Sequence, residues 1–307
     1  MRRSFPTGWW WVVWAVGAIA GCTATTAPVE RTIPESPVVR TFTDDAGRRV
    51  RIEGTPERIV ALAPNLTEIV FSVGAGEALV GVSDFSDYPA EAKEIPSVGG
   101  FPLNIELIVS LEPDLVLAAG ITSLEDVARL EDLGMTLLYL DPMDLDGVLE
   151  SIRTVGDVMG RDQEAEVLVD SLRDRLEAIG DRTDSMETRP RVYYEIDPTL
   201  YSGGPGSFTH ELIDLAGGAN IAAGAASPFP QMSAEEIIAA DPEVILFSHA
   251  KYGGTVSEIA GRPGWEAMTA VESGAIYPID PDLVDRPGPR ILDGLEAMAR
   301  LIHPDLF

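Results

Sequence analysis

The spacing of apolar positions divides the chain into stretches of two kinds. Residues 38–52 alternate apolar and polar side chains around Asp45, Ala46 and Gly47, as a half-buried strand pair closed by a turn does. From Arg58 onward, short apolar runs alternate with segments of helical period. Residues 59–62, 114–118 and 136–140 read as buried strands. Residues 65–73, ending at Gly74, and 123–133, capped by Ser123 and stopped by Gly134, read as helices. Residues 144–180 contain no strand pattern. Leu145, Val148, Leu149, Ile152, Val155 and Val158, then Ala165, Leu168, Val169, Leu172, Leu176 and Ile179, keep a helical period, and Gly160 marks a bend or break. This segment is one long helix or two in tandem. After the polar stretch 181–189 the first pattern resumes, with strands at 191–196, 244–247 and 275–279 and helices at 208–216, 234–240 and 290–301. Strands alternating with helices imply mainly parallel sheets covered on both faces. The expectation is an α/β protein of two Rossmann-like lobes, residues 38–143 and 184–307, joined by a single long helical linker over 144–183.

An internal repeat supports the two lobes. ELIVSLEPDLVL (106–117) aligns without a gap to EEIIAADPEVIL (235–246). Each copy reads as a short helix, an acid–Pro turn and a buried strand. Glu106 and Glu235 therefore occupy one place in two equivalent helices. An acid in a first helical turn is favoured by the helix dipole in any case. Glu236 fits that role better, as the last residue of a Ser233-x-x-Glu236 capping box.

The N-terminus is of a different kind. Arg2 and Arg3 precede an uncharged run, 9–21, which is shorter than the roughly 20 apolar residues of a membrane span. It has the size of a signal-peptide core. It closes on Ile19, Ala20, Gly21 and Cys22, the only cysteine, which therefore carries no internal bridge. The small-small-Cys ending resembles the bacterial lipobox. That resemblance implies a signal peptide over 1–21, lipid on Cys22, and a protein anchored to the envelope rather than spanning it. The alternative is an ordinary signal peptide with an unrelated cysteine. Residues 22–37, rich in Thr, Ala and Pro, read as a flexible tether.

Charge narrows the partners. The formal net charge is −28; beyond residue 21, 20 basic residues face 50 acidic ones. Such a surface repels nucleic acid and anionic lipid and favours a soluble monomer.

Catalytic motifs are scarce. GGPGS (203–207) lacks the Lys-Ser/Thr of a phosphate-binding loop and the spacing of a dinucleotide fingerprint; it reads as a turn with Ser207 as helix cap. His210, His249 and His303 are scattered, and His303 closes a helix where a cation suits the dipole. No metal site, cofactor or catalytic residue is expected. The aromatic residues are more informative. Phe85, Tyr88, Phe101, Tyr201, Phe208, Phe229 and Trp265 fall mostly in strand-to-helix connections beside Gly and Pro, where open α/β sheets bind ligands. Closing the lobe ends is the alternative for each. Flat apolar walls suit a large planar ligand.

RIVALAPNLTE (58–68), VGVSDFSDYP (80–89), VGGF (98–101), PFPQ (228–231) and RPGPR (286–290) resemble the cobalamin-binding proteins of ABC importers. These belong to the helical-backbone class of solute-binding proteins, with siderophore and haem carriers as relatives. The resemblance runs from Arg58 to Pro304. It implies two lobes on one rigid helix with the ligand in the cleft between them. It implies an extracytoplasmic carrier that delivers a corrinoid to a permease. Matched position by position, Pro64, Asn65, Phe85, Phe101, Phe229, Asp282 and Arg286 are implied to line the cleft, and Glu106 and Glu235 to dock onto permease arginines. Phe85 and Phe101 stand where other members carry Tyr and Trp, which keeps stacking surface but removes polar handles. The alternatives are a siderophore or haem carrier of the same class, an enzyme on a two-lobed scaffold, and a surface interaction protein.

Overall fold

The computed structural model describes residues 38–183, 186 and 188–306. The lipobox, Cys22 and the tether lie outside the described residues. The chain enters through β1 (Val39–Thr43) and β2 (Arg49–Glu53), an antiparallel pair turned at Gly47, whose φ of 74° suits a residue without Cβ. Val50 and Ile52 point inward from β2 and the residues between them outward, as the alternation predicts.

The N-terminal lobe is built from β3 (Ile59–Ala61), α1 (Pro64–Ser72), β4 (Leu79–Val82), α2 (Ile105–Ser110), β5 (Leu115–Ala118), α3 (Leu124–Asp132), β6 (Leu137–Tyr139) and α4 (Leu145–Met159). Then α5 (Asp162–Thr183) leads to the C-terminal lobe. That lobe comprises β7 (Arg191–Glu195), α6 (Phe208–Leu215), β8 (Ala219–Asn220), α7 (Ala234–Ala240), β9 (Val244–Phe247), α8 (Val256–Ala260), α9 (Thr269–Ser273), β10 (Ile276–Pro278), α10 (Pro281–Val284) and α11 (Ile291–Ile302). The two four-stranded sheets are parallel, in the orders β4-β3-β5-β6 and β8-β7-β9-β10. Counted from each lobe's own first strand, the two orders are identical.

The repeat seen in the sequence is a repeat of backbone. Glu112 and Asp241, the acids before the prolines, both take left-handed conformations, φ 46° and 44°. Arg58 Nε donates to the Leu111 and Glu112 carbonyls, and Arg191 Nε to those of Ala240 and Asp241. The Arg58 and Arg191 amides donate to Asp114 and Glu243 at 2.9 and 3.0 Å. An arginine at the start of each lobe's first strand thus satisfies the carbonyls that end α2 and α7, which have no partner within the helix.

Each sheet is buried on both faces. Val60, Val116, Leu137 and Tyr139 pack beneath α2 and α3; Tyr193, Ile245, Phe247 and Trp265 pack beneath α7 to α9. The remaining faces share one continuous core with α1, α4, α5, α6 and α11, so the lobes are joined by packing as well as by chain.

The segment read as a helical linker is divided. Gly160 closes α4 at φ 62°, a left-handed cap that only glycine adopts cheaply. α4 folds back on α5, and a Cβ on Gly156 would lie 2.4 Å from that of Ala165, so glycine permits the close crossing. α4 packs on α1, whereas α5 reaches α6 and α11, where Arg175 pairs with Asp293 and Glu296 at 2.7 and 2.9 Å. One helix, α5, bridges the lobes. No helix among the described residues is long and apolar enough to cross a membrane.

Candidate functional site

At the junction of the lobes α1 follows the carboxyl end of β3, and Tyr194 near the end of β7 reaches Asp285. At that junction α1 meets the RPGPR segment. Asn65 is buried and its Nδ2 donates to the Pro287 carbonyl at 3.3 Å; a Cβ on Gly288 would touch Asn65 at 3.4 Å. Pro64 is buried beside it as the first residue of α1. Glu68, 2 % exposed, accepts two hydrogen bonds from Arg290, at 2.9 and 2.6 Å. Arg290 lies 4.0 Å over the Tyr88 ring. Arg286 pairs with Asp87 at 2.7 Å, Asp282 at 2.9 Å and Glu68 at 3.5 Å, and Lys251 reaches Asp282 at 2.6 Å. Burial raises the Asp87 carboxyl, but the Arg286 hydrogen bond and charge, with Lys251, outweigh it and hold Asp87 below its ordinary range. Four of the seven expected cleft residues, Pro64, Asn65, Asp282 and Arg286, are therefore brought together as a buried or ion-paired floor between the lobes.

The other three are aromatic and open. Phe85 and Phe101 are 42 % and 71 % exposed, with ring centres 5.7 Å apart. Their loop is fixed from beneath. Ser86 Oγ shares hydrogen bonds with Thr67 at 2.9 Å and Ser83 at 3.0 Å, all three buried. A Cβ on Gly100 would meet the Phe85 ring at 2.6 Å, so this position must be glycine for the ring to lie there. Phe229, 54 % exposed, is separate from this pair. Its segment pairs with the Gly-rich turn, Ser202 N donating to Pro230 O at 2.9 Å and Gly204 N to Pro228 O at 2.8 Å. Ser207 caps α6 by accepting from His210 N.

In the C-terminal lobe lies an open pocket of about 560 Å³, lined by Ile196, Asp197, Tyr201, Phe208, Thr209, Phe229, Val284 and Asp285. Its walls are aromatic and aliphatic, and its polar groups are the Tyr201 and Thr209 hydroxyls and two carboxylates, Asp197 and Asp285. Asp285 accepts from the buried Tyr194 hydroxyl at 3.1 Å. Asp285 as a residue stays exposed to solvent, but the protein packed around its carboxyl raises it to about 6; the Tyr194 hydrogen bond opposes the rise and the Asp282 charge adds to it. Asp285 adjoins Arg286, which reaches Asp87 in the Phe85 loop, so the pocket and the phenylalanine pair border the same junction.

Reading by residue type missed Tyr194, Asp197 and Asp285. Each is an ordinary strand or turn residue locally, and only convergence of β7 and the α10 end puts the buried Tyr194 behind Asp285 and sets Asp285 and Asp197 on one pocket wall. Trp265 is 1 % exposed, edge-on to Tyr193 and 4.6 Å beneath Arg262, so for this ring the alternative of closing the lobe end holds. One expectation is corrected. His303 is buried against the Gly217 carbonyl, and desolvation lowers its pKa, which favours the neutral ring over a dipole-paired cation. His249 is also internal: its Nε2 lies 2.8 Å from the fully buried Glu195, which Arg262 grips at 2.5 and 2.7 Å. Among the described residues no three or more His, Cys, Asp or Glu cluster as metal ligands.

Glu106 and Glu235 are exposed second residues of α2 and α7. Asn104 and Ser233 cap those helices, and Glu236 completes the capping box with Ser233. Capping leaves Glu106 and Glu235 free on the surface.

Two α/β lobes bridged by one helix, with an aromatic pocket where the strand ends meet, are the architecture of a solute receptor. Residues 59–283 match the family described as periplasmic binding protein, and the chain belongs to that family. It is 34 % identical over 275 residues to an ABC transporter substrate-binding lipoprotein of Bacillus subtilis, covering 87 % of this chain and 86 % of that one. It is 33 % identical over 270 residues to a cobalamin-binding protein of Halobacterium salinarum, covering 85 % and 73 %. Among solved structures it resembles the periplasmic vitamin B12-binding protein of Vibrio cholerae, with a TM-score of 0.72, 30 % identity and coverage of 81 % and 97 %. It also resembles a periplasmic haem-binding protein of Roseiflexus sp. RS-1, with a TM-score of 0.73, 29 % identity and coverage of 82 % and 99 %.

Proposed function

We propose that this protein captures cobalamin or a related corrinoid outside the cytoplasm and delivers it to the permease of an ABC importer. The observation that carries the reading is the aromatic surface left open at the lobe junction: Phe85 and Phe101 on one side, Tyr201, Phe208 and Phe229 on the other. Exposed rings of this kind gain by burial against a large flat ligand, roughly 25 cal/mol per Å² of apolar area removed from water. Relatives named for cobalamin and vitamin B12 support the same ligand. In this reading Phe85, Phe101 and Phe229 touch the corrin. Pro64, Asn65, Asp282 and Arg286 shape and stiffen the floor beneath it. Glu106 and Glu235 meet permease arginines, one from each lobe. Cys22 carries the lipid that holds the carrier, through the tether, at the envelope.

Because one core runs through both lobes, closure on the ligand is small. Mixing the protein with cyanocobalamin, desalting, and recording the absorption spectrum tests the function. Corrin absorption is expected to travel with the protein, and its absence overturns the reading. A haem carrier is the second reading, supported by the haem-binding structural neighbour and by Tyr201, a pocket phenol that can ligate iron. Haem absorption retained in place of corrin would select it.

A further inference from the structure

The cations around the cleft share one property. Arg286 is held by Asp87 and Asp282, Arg290 by Glu68, Lys251 by Asp282, and Arg262 by Glu195. Each of these charges already has a carboxylate of the protein. The pocket beside them holds carboxylates of the opposite standing. Asp197 accepts only from Thr199 in its own turn, and Asp285 only from the neutral Tyr194 hydroxyl. Neither has a cationic partner among the described residues, and no cation is among those that line the pocket. A ligand edge placed there meets hydrogen-bond acceptors and negative charge.

We propose that Asp197 and Asp285 are specificity-determining residues that make this pocket accept uncharged, amide-bearing ligand edges and reject carboxylate-bearing ones. The proposal rests on the reading of the cleft as a corrinoid site and deepens it. Primary amides at the corrin periphery present N–H donors, which a carboxylate accepts as a charge-assisted hydrogen bond. The same edge hydrolysed to a carboxylate would set like charges face to face in a concave, partly desolvated site. Haem propionates and anionic chelates carry that charge at their edges, so the two aspartates separate corrinoids from the other flat ligands that related folds bind. Asp282 does not serve this purpose, because Lys251 and Arg286 neutralise it.

The test is titration calorimetry with cyanocobalamin and with its peripheral monocarboxylic acids, obtained by mild acid hydrolysis of single amides. The intact protein is expected to bind the amide form about ten-fold or more tighter than at least one of the acids, the cost of a like-charge contact. Asp197→Asn, Asp285→Asn and the double variant are expected to narrow that ratio in steps. Asn keeps the shape and can still accept from Tyr194, and circular dichroism checks folding. Equal binding of amide and every acid by the intact protein overturns the inference and leaves the corrinoid function standing, as does a ratio unchanged in the double variant. If no corrinoid binds, the function itself fails, and protoporphyrin IX against its dimethyl ester reads the charge preference alone. Preference for the ester, lost in the double variant, supports it; no preference overturns it.

Discussion

In the N-terminal lobe the first strand of the sheet runs almost directly into its helix: β3 ends at Ala61 and α1 begins at Pro64. In the C-terminal lobe β7 ends at Glu195 and α6 begins only at Phe208. The strand orders, the arginine clamps and the glutamate-bearing helices α2 and α7 agree between lobes; the connections at the strand ends do not. The short connection leaves an apolar, buried turn at 61–64. The long one lays down Ile196, Asp197 and Tyr201 as a pocket wall. Beneath it the C-terminal lobe buries Glu195 between Arg262 and His249, whereas the buried Leu62 occupies the corresponding N-terminal position. In both lobes the loop after the second strand carries exposed phenylalanine, Phe85 and Phe101 in one and Phe229 in the other. The sheet is common scaffold, and ligand chemistry is written in the loops that leave it.

The largest expected effect comes from the fully buried carboxylate at the end of β7, which has an apolar residue, Leu62, as its N-terminal counterpart. Glu195→Ala strands Arg262 and His249 and should lower stability by about 3–5 kcal/mol, as removal of one buried ionic partner does. Urea unfolding followed by circular dichroism measures it, and a loss below about 1 kcal/mol would mean that solvent already screens the cluster.

The aromatic loops come next. Phe101→Ala and Phe229→Ala should each weaken corrinoid binding by about 1–3 kcal/mol, the worth of one buried ring, while leaving the melting temperature close to that of the parent. Calorimetric titration decides between lobes: if only one substitution matters, the ligand leans on one lobe alone.

The glutamates test the symmetry itself. Glu106→Ala and Glu235→Ala should reduce uptake in cells by similar factors, and more together, with no change in ligand affinity. The control is Glu236→Ala, which breaks the capping box next door. Uptake that falls equally with Glu236→Ala would reduce all three to helix-start acids.

The smallest expected effect is a pH dependence confined to the C-terminal pocket. Asp285 is held at about 6 in the folded protein, whereas an unfolded chain ionises an aspartate near 3.9. Between those values the folded state keeps the extra proton, so this residue's contribution to stability falls as pH rises from about 4 to about 6 and is level above. Asp285→Asn has no such component. Its stability relative to the parent should rise across that window, read from thermal melts at successive pH values. A difference that stays flat with pH would show that the cleft leaves Asp285 well hydrated.

Elements with enough residues to show a period were legible in the sequence. Helix α7 and strand β9 fall on the residues expected, and α1, α6 and α11 within one residue at each end. What was not legible was too short to carry a period. β8 has only Ala219 and Asn220, and α8, α9 and α10 are single turns. β4 was hidden by Gly81, where a Cβ would strike Leu111 and Val98 at 2.8 Å; a strand-breaking residue locally is a packing requirement globally. Gly160 was seen as a weak point, but whether it bends or ends the helix depends on α4 finding α1 to pack on.

The site divides in the same way. Aromatic residues between glycines and prolines stood out because a core has little use for them in loops: Phe85, Tyr88, Phe101, Tyr201 and Phe229 are exposed, whereas Trp265 is taken into the core. Asp282 and Arg286 were found by position, but the sequence could not reveal that they are engaged with each other, Lys251 and Asp87, because ion pairing is a matter of distances between remote segments. The same holds for Asp285 and Tyr194, 91 residues apart. The sequence by itself determined two parallel α/β lobes, their internal repeat and the helix between them, because hydrophobic period, caps and turn residues act over a few neighbouring positions. Only the tertiary structure decided which charges are neutralised and which are left to meet a ligand, because electrostatic pairing and desolvation depend on what the fold brings within a few ångströms.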